Sequence, residues 1–136
     1  MALWVLAAVL GILASFEDLR SRTIPNWLTL AGFLAGLLFA ACHGWHSLGI
    51  AFAGGLLGFA LLLPLHLCGA MGGGDVKLMA AFGTLLGPYG IFAAAIFGAI
   101  AGGVWAIAAR CCGARTIPYA PAIAAGVWFT LLGGSL

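Results

Sequence analysis

The sequence predicts an all-α fold, a polytopic membrane bundle of about six transmembrane helices with both termini outside. Three observations carry this reading. Of 136 residues, 65% are hydrophobic and 6% are charged, whereas a soluble domain carries roughly 25% charged residues. There is too little polar surface to face water on all sides, and a mean hydropathy of +1.22 matches lipid as the solvent. Apolar stretches also recur along the whole chain, separated by short polar or glycine-rich breaks. Finally, the basic residues fall at alternate breaks, as the positive-inside rule requires. The length suits a single domain, residues 1–136.

The first stretch runs from Ala2 to Phe16 and ends at Glu17-Asp18-Leu19-Arg20. It lacks a basic n-region and more apolar segments follow it, so it reads as a retained span rather than a signal peptide. The second runs from Trp27 to Cys42 and breaks at His43-Gly44-Trp45-His46. The third runs from Leu48 to Leu67, with Pro64 as a kink near its end. Cys68 to Gly74 forms a glycine-rich loop. The fourth opens at Asp75 or Val76 and stops near Gly87-Pro88; it is the shortest relative to the ~20 residues a span needs, and a re-entrant segment is the alternative. The fifth runs from Tyr89 to Ala109, Arg110 to Arg115 is a basic loop, and the sixth runs from near Pro118 to about Leu132. With the first break inside the cell, Arg20, Arg22, Lys77, Arg110 and Arg115 all lie on the cytoplasmic side. The turns at His43–His46 and Gly87-Pro88 lie outside.

Charge and cysteines exclude several function classes. A net charge of +2 with no Lys/Arg run gives no nucleic-acid footprint. None of the four cysteines, Cys42, Cys68, Cys111 and Cys112, forms a Cys-x-x-Cys pair. They read as small apolar side chains, and no metal or cofactor is expected. Among 22 glycines, the pairs Gly32/Gly36, Gly54/Gly58 and Gly98/Gly102 have the small-xxx-small spacing that lets helix backbones approach in lipid.

The chain has only three acids: Glu17, Asp18 and Asp75. Acids at the ends of membrane helices invite a functional reading. Asp18 follows an apolar helix, whose negative C-terminal end disfavours a carboxylate; its bland alternative is a solvated acid beside Arg20 and Arg22. Asp75 opens the fourth helix, where its bland alternative is an N-cap. The predicted topology puts Asp18 and Asp75 on one membrane face. Two carboxyls brought together cannot both ionise cheaply and can share a proton. One then serves as general base towards water and the other as general acid towards a carbonyl oxygen, which is peptide hydrolysis without a covalent intermediate. Acids, broken spans and glycine-rich turns also suit a small proton-coupled membrane transporter or channel subunit.

Three segments resemble the type IV prepilin leader peptidases, the GxGD membrane aspartic proteases. Asp18-Leu19-Arg20-Ser21-Arg22-Thr23-Ile24-Pro25-Asn26 is similar to their first signature. Gly72-Gly73-Gly74-Asp75-Val76-Lys77-Leu78 resembles the GxGD motif and its following lysine. Ile117-Pro118-Tyr119-Ala120-Pro121 is similar to the proline-rich start of their last helix. The resemblance implies that Asp18 and Asp75 are catalytic and that prepilins are cleaved at the cytoplasmic face of a bacterial inner membrane. Gly72, Gly73 and Gly74 carry no side chains to block an extended substrate peptide, and Lys77, placed with them in the substrate site, reads either as a stabiliser of the ionised pair or as an interfacial anchor. Glu17 does not match the signature aspartate. Longer family members begin with a domain bearing paired Cys-x-x-Cys motifs and also methylate the product. Nothing like it precedes the first helix here, so the resemblance is to the short, peptidase-only form associated with Flp/tight-adherence pili.

Reporter fusions test the topology. Fusions at Arg22 and Gly113 should report cytoplasm and one at Gly44 the outside; an outside signal at Gly113 would overturn the six-span arrangement.

Overall fold

Hydrocarbon offers a peptide group no hydrogen-bond partner, so an apolar chain in lipid must satisfy its backbone within helices or closed barrels. The computed structural model describes residues 2–21, 23–111 and 119–133, and among these there is helix and no strand. In chain order the helices are α1 (Ala2–Ser21), α2 (Asn26–Cys42), α3 (Trp45–Leu67), α4 (Gly73–Cys111) and α5 (Ala120–Gly133). Arg22, the Cys112–Arg115 part of the basic loop, Ile117 and Pro118 lie outside the described residues, as does Cys112 among the cysteines.

Two boundaries differ from the sequence reading in an informative way. The apolar stretch stops at Phe16, but α1 continues to Ser21. Polarity ends a stretch, yet Glu, Leu and Arg are good helix formers, and nothing in Glu17–Arg20 breaks the ladder. Asp18 is therefore helical rather than in a loop. The break after α2 is also tighter, with only His43 and Gly44 between helices; Gly44 reverses the chain at φ 107°, a conformation side chains resist.

The fourth and fifth stretches are the two parts of α4, broken at Gly87 (φ 72°, ψ 178°), which Pro88 follows. Proline lacks the N–H needed to continue the ladder, and Gly87 adopts the positive φ that turns the chain. A Cβ placed on Gly58 of α3 would lie 3.0 Å from the Met79 carbonyl carbon and 3.2 Å from Ile91 Cγ1. In a straight helix those twelve residues would rise about 18 Å. The chain has therefore folded back, and residues 73–86 and 88–111 are two arms of a hairpin.

Close backbone contact holds the bundle. Gly54 of α3 and Gly83 of α4 meet face to face, each where the other's carbonyl would block a side chain; Gly126 of α5 meets Ala94 and Gly98 in the same way. Of the three spaced pairs, Gly32 receives Leu10, Gly36 receives Thr84, and Gly98 and Gly102 lie against Ala122. Leu78, Met79, Phe82, Ile91 and Val127 fill the centre, while large apolar side chains such as Leu38, Leu56, Val104 and Ile107 point outward. An apolar exterior suits a lipid solvent. By length and hydropathy α3 is long and apolar enough to cross a membrane, as is Gly73–Ala108 of α4 when counted across the turn at Gly87; α2 and α5 are shorter apolar helices.

Because Gly54 touches backbone, Gly54→Val has no flexible neighbour to displace. Overpacking typically costs about 1–3 kcal/mol. A detergent-solubilised Gly54→Val variant should melt well below wild type. Gly49→Val, at a position with no atom within 4 Å of the added carbon, should change the melting temperature little.

Candidate active site

Asp18 and Asp75 are the buried charged residues among those described, at 7% and 8% exposure, while Glu17 next to Asp18 is only half-buried. Burial of a carboxylate needs compensation. For Asp18 it comes from a helix far away in sequence. The Ala120 N–H, at the first residue of α5, donates to Asp18 Oδ2 at 3.1 Å. The Tyr119 carbonyl accepts the first bonds of that helix from Ala122 and Ile123, so Asp18 caps α5 from outside. The carboxylate that stands at the wrong end of its own helix stands at the favourable, positive end of another.

Asp75 occupies the first turn of α4, again a positive helix end. Its N–H donates to the Gly72 carbonyl at 3.2 Å. The hairpin and the packing of α1 against both α4 and α5 bring the two acids close enough for their carboxylates to interact electrostatically. One residue pair is thus assembled from α1 and α4 at the start of α5. The hydroxyl of Ser15, almost one turn before Asp18, is buried with no hydrogen-bond partner among the described residues.

The glycines before Asp75 have distinct surroundings. A Cβ on Gly73 would lie 3.3 Å from His66 Cε1, and one on Gly74 would lie 3.0 Å from Ile24 Cβ. Gly72 is open except for Asp75 Oδ2 at 3.6 Å. Gly73 and Gly74 therefore admit neighbours that brace the loop. His66 lies near the end of α3; its ring covers Gly73 and its Nδ1 lies 3.0 Å from the Met71 carbonyl oxygen. A carbonyl can only accept, so Nδ1 carries the hydrogen. The same loop is tied to α3 by Gly69 N–H to the His66 carbonyl and Ala70 N–H to the Leu65 carbonyl, with Gly69 at φ 72°, a Schellman-type helix end.

Lys77 is exposed, and its Nζ donates to Asn26 Oδ1 at 2.8 Å. Two residues along a helix turn through about 200°, so Lys77 and Asp75 leave α4 on opposite sides. The two sequence segments are interlocked: Ile24 packs on Gly74 and Asn26 holds Lys77. Among the described residues, no cluster of three His, Cys, Asp or Glu side chains could hold a metal, and Cys42, Cys68 and Cys111 are free and exposed.

A family model described as the type IV leader peptidase family matches residues 4–107. The chain belongs to this family. A protein of Aeromonas hydrophila named prepilin leader peptidase/N-methyltransferase is 34% identical over 142 residues, covering 96% of this chain and 47% of that protein. The identically named protein of Bacillus subtilis is 33% identical over 123 residues, covering 85% of the chain and 49% of the relative. That of Pectobacterium carotovorum is 31% identical over 146 residues, covering 98% and 50%. The chain thus spans about half the length of the curated relatives it matches. No solved structure matches it. Family membership and the apolar helices together make this type IV leader peptidase relative an integral membrane protein.

Sequence reasoning missed the partner of Asp18 and the brace at His66. Both join residues distant in sequence, and neither leaves a local spacing to read. The Asp18 cap makes a direct prediction. Asparagine keeps an acceptor for the Ala120 N–H and alanine does not. Asp18→Ala should therefore be less stable to thermal or denaturant unfolding than Asp18→Asn, by about 1 kcal/mol.

Proposed function

We propose that this chain is a membrane aspartic endopeptidase that removes the leader from type IV prepilins, of the Flp-like class, at the cytoplasmic face of a bacterial inner membrane. The observation that carries the reading is the burial together of Asp18 and Asp75 at the N-terminal ends of α5 and α4. Their family signatures and the relatives' names supply the substrate class. On this reading residues 1–136 form one domain of six crossings with both termini outside, the hairpin arms of α4 being two of them.

The chemistry follows from two carboxyls of which one is ionised and one protonated. The ionised group takes a proton from water as the water oxygen bonds to the scissile carbonyl carbon, and the protonated group donates to the carbonyl oxygen. Collapse of the tetrahedral species breaks the C–N bond: the nitrogen leaves with a proton returned by the first group, and a hydroxyl of the tetrahedral species gives its proton back to the second, which restores one ionised and one protonated carboxyl. The helix ends stabilise the single negative charge that remains.

An apolar cleft of about 200 Å³ supports the substrate assignment. It runs between α3, α5 and the second arm of α4, with Met79 of the first arm in its lining beside Met71, Tyr119 and Gly103. Met71 precedes the Gly72–Gly74 loop and Tyr119 precedes Ala120, so the cleft ends beside both acid-bearing segments. A prepilin's apolar helix lying there would deliver the leader junction to the aspartates, with Gly72 leaving room for an extended peptide. Lys77 contributes at a distance, by pinning Asn26 and thereby the segment that braces Gly74. The same proposal has this chain cleave without methylating. A proton-coupled transporter or channel subunit, the other class the acids allow, draws no support from the family match.

Co-expression with candidate prepilins tests the reading. Wild type should produce the mobility shift of leader loss. Asp18→Asn and Asp75→Asn should each lower processing by about 100-fold or more while inserting normally, and Glu17→Gln should have little effect. A soluble peptide lacking the apolar helix should be a poor substrate, because it loses the binding that positions the bond. Near-normal processing by Asp75→Asn would remove the protease reading.

A further inference from the structure

The face of α4 opposite Asp75 carries a second cleft, of about 400 Å³, between α2, α3 and the first arm of α4. Its polar end is Lys77 and Asn26. The hydrogen bond between them uses one ammonium N–H and the Asn26 Oδ1. It leaves two N–H donors on Lys77, and the Asn26 Nδ2 group has no acceptor among the described residues. Thr29 adds nothing further to that end, because its hydroxyl donates back to the Asn26 carbonyl at 3.0 Å. No acid lines the cleft. Its remaining wall is apolar: Leu30 and Phe33 from α2, Phe59 from α3, and Ala80 from α4.

The depth of these residues matters. Asn26 is the first residue of α2 and Phe33 lies seven residues further, about 10 Å along the axis. Phe59 lies eight residues before the end of α3, at a similar depth from the same side. The cleft therefore has a cationic, donor-rich mouth at the bundle's edge and an apolar floor running inward from it.

We propose that this cleft binds one anionic phospholipid, its phosphate on Lys77 and Asn26 and its acyl chain along Leu30, Phe33 and Phe59. Charge complementarity selects the occupant. A phosphate oxygen satisfies the free donors of both side chains at once, and the groove directly below takes the hydrocarbon that is covalently attached to it. A free anion would use only the donor-rich mouth. The site lies across α4 from the aspartates, so it holds whether or not the protease reading does. Its effect on the aspartate site would be through Asn26 and Ile24, which brace the loop before Asp75.

Lipid retention by the purified full chain tests this. Native mass spectrometry in detergent, with phosphatidylglycerol or phosphatidylcholine of identical chains added back, should show one preferentially retained phosphatidylglycerol. Lys77→Met should weaken retention about fivefold, the worth of one interfacial cation. Lys77→Arg, and Arg20→Met at an exposed cation on α1, should retain it. Inorganic phosphate at millimolar concentration should not displace it. Equal retention of the two lipids, equal loss in Arg20→Met, or displacement by phosphate alone would overturn the proposal. Should Lys77→Met fail to fold, photo-activatable phosphatidylglycerol on the unsubstituted protein decides the matter. Attachment concentrated in residues 26–33, 59 and 77–80 supports the site, and attachment spread evenly over all helices overturns it.

Discussion

A buried carboxylate in an apolar bundle must be compensated, and the arrangement of Asp18 and Asp75 is governed by that requirement. Each carboxyl stands at the positive end of a helix, and for Asp18 that helix is α5, roughly a hundred residues away. The helix ends do what counter-ions would do elsewhere, and among the described residues Lys77 and Arg20 are exposed rather than set against the acids. That distinction bears on the proposed chemistry. A paired lysine or arginine would hold a carboxylate ionised, whereas helix ends favour negative charge while leaving the two acids free to share a proton. Lys77, the nearest cation in sequence to Asp75, is directed to Asn26 on the far side of α4.

The positions of α1, α4 and α5 follow from how backbones meet in lipid. With no water to exclude, helix association depends on packing and on close approach. Gly54 against Gly83, and Gly126 against Ala94 and Gly98, bring α3, the two arms of α4 and α5 into backbone contact. The turn at Gly87 is what makes both arms available to these contacts. Removing the turn would carry the second arm away from α3 and α5, and the start of α5 would no longer meet Asp18.

The loop before Asp75 shows how short motifs become a site. Its glycines read as conformational freedom and open space. In the fold, two of them are occupied by neighbours: His66 lies over Gly73 and Ile24 against Gly74. The His66 bond to the Met71 carbonyl and the helix-end bonds of Gly69 and Ala70 hold the segment from the α3 side. Ile24 and Asn26 hold it from the α2 side. The first and second signatures of the family are therefore one braced unit, and Gly72 is the position left open.

The sequence by itself determined the membrane class, the helical content and the identity of the three acids. These depend on composition and on local patterns, and the absence of backbone partners in lipid leaves helix as the natural outcome. It also placed Gly87-Pro88 as a break, because proline and glycine act on their own residue and its neighbours. Where polarity and helix propensity disagree, as at Glu17–Ser21, the sequence placed the boundary by polarity and the fold followed propensity. Only the tertiary structure decided that Asp18 caps α5, that His66 and Ile24 fill the glycine loop, and that Lys77 faces away from Asp75. Each of these joins side chain or backbone groups from different helices, and such pairings are set by the geometry of packing, on which local spacing carries no information.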